Sequence, residues 1–186
     1  MTPRDEGQRH DGTSSGQVFT KNERRLGAIL ARVPLAREQL IVAMEEFEPA
    51  FDLDAFLAAA QSDDPAERNK VAVIERELDL LVNLLEELAA RSLDEGRRLG
   101  AVGKGSRGPW EQLAAEKVIP RSMAEKLREA KDTRNDLDHF YPPTSWKVVH
   151  GASSTLLAEL DGYIVKVGDW AKGLGMNLPD PDGPSV

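Results

Sequence analysis

The chain has 186 residues, a formal net charge of -8 and 30% charged residues, with few aromatics and no cysteine. That length suits one domain with a core plus tails, and the missing cysteine excludes both a disulfide framework and a thiolate zinc site. The acidic balance excludes a protein that coats nucleic acid nonspecifically, since phosphate neutralisation needs clustered Lys and Arg; a local basic patch for RNA remains compatible with it. No apolar run approaches the roughly 18 residues of a membrane helix, and the polar N-terminus lacks the apolar stretch of a secretory signal. A cytoplasmic location with no membrane association is therefore expected.

Residues 1–19 and 176–186 are polar, Gly/Ser/Pro-rich and aperiodic, and read as disordered tails around a single helical domain, 20–175. Thr20 and Glu23 have the spacing of a capping box and open a first helical region, which Pro34 is expected to kink or divide. A short helix follows over about 53–61. Asp64 as N-cap and Pro65 at the first helical position then open a long helix to about 98. Its seam of Val71, Ile74, Leu78, Leu81, Leu85 and Leu88 alternates spacings of three and four, and Val73, Leu80 and Leu84 form a second strip beside it. Two apolar strips call for two neighbours, in a bundle or across a dimer interface.

GAVGKGSRGP, residues 100–109, is the one clear internal loop. It lacks the GxxxxGK[ST] spacing and a preceding strand, so it reads as a connector rather than a phosphate loop. A short helix around Trp110–Glu116 leads to Pro120, which starts the next helix. The last helix, about Ser145–Ala171, has a seam of Trp146, Val149, Ser153, Leu156, Leu160, Tyr163, Val167 and Trp170. No segment alternates at period two. The expected fold class is all-α, an antiparallel bundle of four to six helices.

The penultimate helix ends in TRNDLDHFYPP, residues 133–143. Met123, Leu127, Ala130, Leu137 and Tyr141 form its seam, and position 134 of that seam is Arg. A guanidinium there needs a partner or a cleft. Asp138, four residues on, offers a purely structural ion pair, although such helical pairs contribute only about 0.3–0.5 kcal/mol. Asn135 and His139 are also four apart, so the amide can orient the imidazole. His139 alone reads equally as a charge at a helix C-terminus. His10 sits in the disordered tail, and His150 has no partner at useful spacing. Arg121, Lys126, Arg128 and Lys131, with Lys104, Arg107 and Lys147, make this region more basic than the rest. Glu125, Glu129, Asp132 and Asp136 interleave with them, so an RNA path and a solvated mixed-charge face are both open. No Glu-x-x-His spacing supports a carboxylate-histidine metal bundle.

RNDLDHFY resembles the Arg-Asn-x-x-x-His-x-Tyr motif of the HEPN superfamily, specifically its HepT-like toxins. WEQLAAEKVIPRSMAEKLREAKDTRNDLDHFYP is similar to their short helix, Val-Ile-Pro-like step and long motif helix, and the likeness extends over about residues 50–172. The resemblance implies a HEPN-type helical bundle and a homodimer in which two motifs build one cleft. It implies a metal-independent endoribonuclease without cofactor, acting on RNA rather than DNA. His139 would be general acid/base, Arg134 would hold the phosphate and Asn135 would orient the site. It also implies a toxin-antitoxin pair of the HEPN/MNT type. There Tyr141 would receive AMP from a minimal nucleotidyltransferase antitoxin, blocking the cleft. Asp138, where the family commonly has a small or apolar residue, departs from the pattern and suits an inactive, partner-binding HEPN module instead.

Overall fold

A computed structural model of the protein describes residues 19–105, 108–139, 145–176 and 178, and their side chains except at 134–139 and 145. Six helices follow one another among the described residues: α1 (Lys21–Glu45), α2 (Leu53–Ala60), α3 (Pro65–Arg98), α4 (Pro109–Ala115), α5 (Arg121–His139) and α6 (Ser145–Gly173). With no strand among them, the fold is all-α. None of these helices is long and apolar enough to cross a membrane.

The local signals act as their chemistry dictates. Thr20 Oγ1 accepts from the Glu23 backbone N–H at 3.1 Å, and the Glu23 carboxylate accepts from the Thr20 N–H at 2.7 Å. Two of the orphan donors at the start of α1 are thereby satisfied. Asp64 caps α3 through the Ala66 N–H at 2.8 Å, ahead of Pro65. Arg97 and Arg98 close the same helix at the end where its dipole is negative.

α3 is the axis of the bundle and packs against each of the other five helices. Its seam residues Val71, Ile74, Leu78, Leu81, Leu85 and Leu88 are all buried. Leu84 of the second strip is buried too, whereas Val73 and Leu80 stay half-exposed. The second neighbour is therefore incomplete along that side.

Pro34 does not divide the first helix: α1 runs unbroken through it. Proline costs about 3 kcal/mol in a helix interior because it removes one hydrogen bond and crowds the preceding turn. Here Val33 and Ala36 on one side, and Leu40 beyond, are buried together, so packing keeps both halves helical. Pro34→Ala is accordingly expected to raise stability by about 2 kcal/mol, the helix term less the lost stiffening of the unfolded chain. A higher urea midpoint at unchanged slope would show it.

The Gly-rich connector is held at its α3 end. Val102 folds back onto Gly96, whose carbonyl accepts from the Ala101 N–H at 2.9 Å. A side chain at Gly96 would meet Val102 Cγ2 at 2.7 Å, so the close return requires glycine. Gln112 of α4 accepts from Arg97 and donates to the Gly103 carbonyl at 3.1 Å. At the other end of the chain Met176, assigned to the tail by composition, is buried, with Leu178 packed beside the core.

Two ring groups lock α6 in place. Tyr163 is fully buried and its hydroxyl donates to the Leu85 carbonyl at 2.9 Å. Burial pushes this phenol well above its ordinary value near 10. A raised acid pKa means that the folded state favours the neutral form. The associated stability is complete below pH of about 10 and falls as the pH rises beyond it. In a Tyr141→Phe background, Tyr163 is expected to ionise only as the protein unfolds, giving a steep rise in tyrosinate absorbance coincident with loss of helical circular dichroism. A shallow titration preceding unfolding would contradict this.

The second group is His150, for which sequence spacing offers no partner. Its Nε2 lies in hydrogen-bond contact with the Phe51 carbonyl, so that nitrogen carries the proton. The imidazole also stacks on the Phe51 ring, with centroids 3.9 Å apart and planes 13° off parallel. Phe47 and Phe56 complete the cluster, edge-to-face at 5.3 Å. Ala50 and Phe51 adopt positive φ, 61° and 54°, a conformation that costs a residue with a Cβ, and the aromatic contacts hold it.

Candidate functional site

The first hydrogen bonds of α5 are accepted by the Pro120 carbonyl, from Met123 at 3.1 Å and Ala124 at 3.2 Å. Met123, Ala124, Leu127, Ala130 and Thr133 then turn inward and are buried, which fixes the rotation of the helix. Thr133 Oγ1 donates to the Glu129 carbonyl at 2.9 Å, the usual recourse of a buried threonine on a helix. Beyond it, Arg134, Asn135 and His139 occupy the last turns of α5, which ends at His139. At about 100° per residue, position 134 comes two turns after Leu127 on nearly the same line, and position 139 one turn after 135. The three positions therefore lie together at one end of one helix. Their side chains, and that of Asp138, fall outside the described part; so does all of Tyr141.

Immediately before the motif, α5 and α6 leave a groove of about 220 Å³. Lys126, Glu129, Ala130 and Thr133 line one side, and Val148, Gly151, Ala152 and Thr155 the other. A Cβ at Gly151 would meet nothing within 4 Å, so the glycine keeps the groove open without being demanded by the packing. α4 and α5 leave another, of about 440 Å³, between Glu111, Ala114, Ala124 and Arg128.

The four α5 cations proposed to attract RNA are engaged. Arg121 pairs with Glu125 at 2.9 Å, and Arg128 with Asp132 at 3.1 Å and Glu111 at 3.8 Å. Lys126 pairs with Glu159 of α6, and Lys131 with Glu86 of α3. The described part of α5 thus presents alternating charge rather than a row of free cations. Lys104 and Lys147 are exposed, and Arg107 lies outside the described residues.

Three buried carboxylates belong to other elements. Glu23 serves the cap of α1, and Glu95 is held by Arg98 Nε at 2.6 Å and by Asn22 at 3.4 Å. Glu77 receives Arg76 at Oε1, whereas its buried Oε2 has no hydrogen-bond partner among the described residues. Among the described residues no three His, Asp or Glu side chains converge in a way that could hold a metal ion. Comparison with family models, curated proteins and solved structures finds no match to this chain.

Proposed function

We propose that the chain is a metal-independent endoribonuclease of the HEPN type, the HepT-like toxin of a toxin-antitoxin pair. One observation carries the reading: RNDLDHFY, with Arg134, Asn135 and His139 on the last turns of α5, in an all-helical bundle. Pro142 and Pro143 in the sequence deny the helix a continuation, which suits a motif that must reach a phosphodiester.

The chemistry follows from the residue types. A base takes the proton of the RNA 2'-hydroxyl, whose oxygen forms a bond to the adjacent phosphorus. The bond from phosphorus to the 5'-oxygen breaks, and that oxygen receives a proton, leaving a 2',3'-cyclic phosphate and a free 5'-hydroxyl. His139 suits either proton transfer because an imidazole of ordinary pKa near 6.5 populates both forms around neutrality. Arg134 offers a planar fork of permanent donors to the extra charge on the pentacoordinate phosphorus. Asn135 orients the ring. In this reading a homodimer joins two motifs into one cytoplasmic RNA-cutting cleft, and a nucleotidyltransferase antitoxin adds AMP to Tyr141, placing bulk and charge at its mouth.

A second reading is favoured by the ion pairs of α5. With Arg121, Lys126, Arg128 and Lys131 already facing carboxylates, and Asp138 available to Arg134, the same surface suits a noncatalytic module that binds a protein. Induced expression of the wild type and of His139→Ala in a host without the antitoxin separates the two. The ribonuclease reading expects growth arrest and fragmented RNA from the wild type only. Equal growth effects with intact RNA would replace it by the binding module.

A further inference from the structure

We infer that the groove between α5 and α6 is a base-binding subsite that selects a guanine next to the scissile phosphate of RNA. The inference rests on the ribonuclease reading for where that phosphate lies, and on the groove itself for the base. α6 runs back along α5, so that Lys126 of one helix meets Glu159 of the other, and this ion pair ties the two together at the end far from the motif. Thr133 and Val148 line the opposite end, and Arg134 is the next residue of the chain. At 1.5 Å of rise per residue, position 134 lies about 6 Å along the axis from Ala130 in the groove wall and about 40° around it. A group held at Ala130 and a phosphate at the motif are thus separated on the scale of a single nucleotide.

Size and lining restrict the occupant. A groove of about 220 Å³ falls below the roughly 300–1,000 Å³ of a site for a drug-sized molecule, and suits one ring system rather than a peptide. Its walls are the methyl groups of Ala130 and Ala152 and the bare backbone of Gly151, with Val148 exposed at the mouth. Such a slot takes the flat apolar faces of a ring and leaves its edge to the polar groups around it. A glycine inside a helix is less favourable than an alanine, and no neighbouring atom requires this one; what it provides is width.

Glu129, on the α5 side of the groove, identifies the base. Its helix neighbours Glu125 and Asp132 are held by Arg121 and Arg128, and Lys126 is taken by Glu159. Glu129 is left with no ion pair among the described residues. A free carboxylate beside an RNA path repels phosphate, so it suits RNA only where it faces N–H donors. Its two oxygens accept a matched pair of them. Guanine alone among the four bases presents two adjacent donors on its Watson–Crick edge, N1–H and the 2-amino group. Adenine and cytosine set one amino group beside a bare ring nitrogen, and the N–H of uracil stands between two carbonyls, so each brings an acceptor against the carboxylate. Exposed Lys147, one turn before Gly151 on α6 and without an ion pair among the described residues, stands at the motif end, where a strand leaving the groove carries its phosphates.

Equilibrium binding of uncleavable RNA tests this, read as the fluorescence anisotropy of a short labelled oligouridine methylated at every 2'-oxygen. The full chain is expected to bind a version with one central guanine about 10- to 100-fold more tightly than oligouridine, the discrimination typical of a bidentate base contact. Adenine or cytosine at that place should give no such gain, and inosine, which lacks the 2-amino donor, should lose most of it. Glu129→Gln should abolish the preference, because an amide offers one acceptor atom where two are required. Gly151→Leu should abolish it as well with helical circular dichroism retained, since its Cβ meets nothing within 4 Å and its branches enter the groove. Equal affinity for the four bases overturns the inference, and so does a guanine preference that survives either substitution in folded protein. Because the probe cannot be cut, these outcomes are separate from the ribonuclease reading. A wild type that prefers guanine but leaves unmodified RNA intact fails only as a ribonuclease, and one that cuts RNA but binds all four bases alike fails only here.

Discussion

Purified protein carrying His139→Ala is expected to cleave single-stranded RNA about 100- to 10,000-fold more slowly than the wild type, the range typical of a positioned general acid or base. Arg134→Ala should lose about 100- to 1,000-fold, as when one oxyanion donor is removed. Arg134→Lys should recover little of this, because a point charge keeps the sign but not the fork. The two losses should not add, since both groups serve one transition state. If the double variant and the wild type cleave at equal rates, Arg134 and His139 are not catalytic and the noncatalytic module is the better description.

The largest effect on stability should come from Phe56→Ala. Phe56 is fully buried between Phe47, at 5.3 Å, and Phe51, at 5.5 Å, with His150 at 5.8 Å. Truncating such a ring removes its transfer free energy and leaves a cavity, together about 3–5 kcal/mol. For a chain of this size that is a fall in melting temperature of about 10 °C. His150→Ala should cost less, because the imidazole is only partly buried. Combining the two should reveal a coupling of about 0.5–1.5 kcal/mol through the shared ring cluster. Additive losses would mean that the histidine packs independently of Phe56.

Much of this architecture was legible in the residues because its causes are local. Thr20 with Glu23 and Asp64 with Pro65 involve neighbours within three positions, and the seams of α3 and α6 repeat often enough to reveal their period. Pro34 misled because its cost is local while the packing of Val33, Ala36 and Leu40 that outweighs it is tertiary. The same separation hid the partner of His150, whose carbonyl acceptor at Phe51 lies 99 residues away. At the motif helix, Arg121 with Glu125 could be inferred from a spacing of four. Lys126 with Glu159 and Lys131 with Glu86 span 33 and 45 residues and depend on how α5 meets α6 and α3. The motif itself was legible as a pattern of residue types, and its place at the end of α5 agrees with the proline stop; the roles of Arg134, Asn135 and His139 rest on resemblance.

The position of α3 bears on how this chain can change. Every other helix touches that single rod, and α5 also packs closely on α6 and α4, so all six share one continuous core. Deleting α1 would uncover the Val71 to Leu88 seam, and ending the chain before α6 would leave the Leu85 carbonyl without its phenol donor. The smallest autonomous unit is accordingly the whole set of helices from 21 to 173. Variation in length is best absorbed at the connector after Val102 and outside the bundle, and shortened forms made to isolate the end of α5 should collapse rather than report on it.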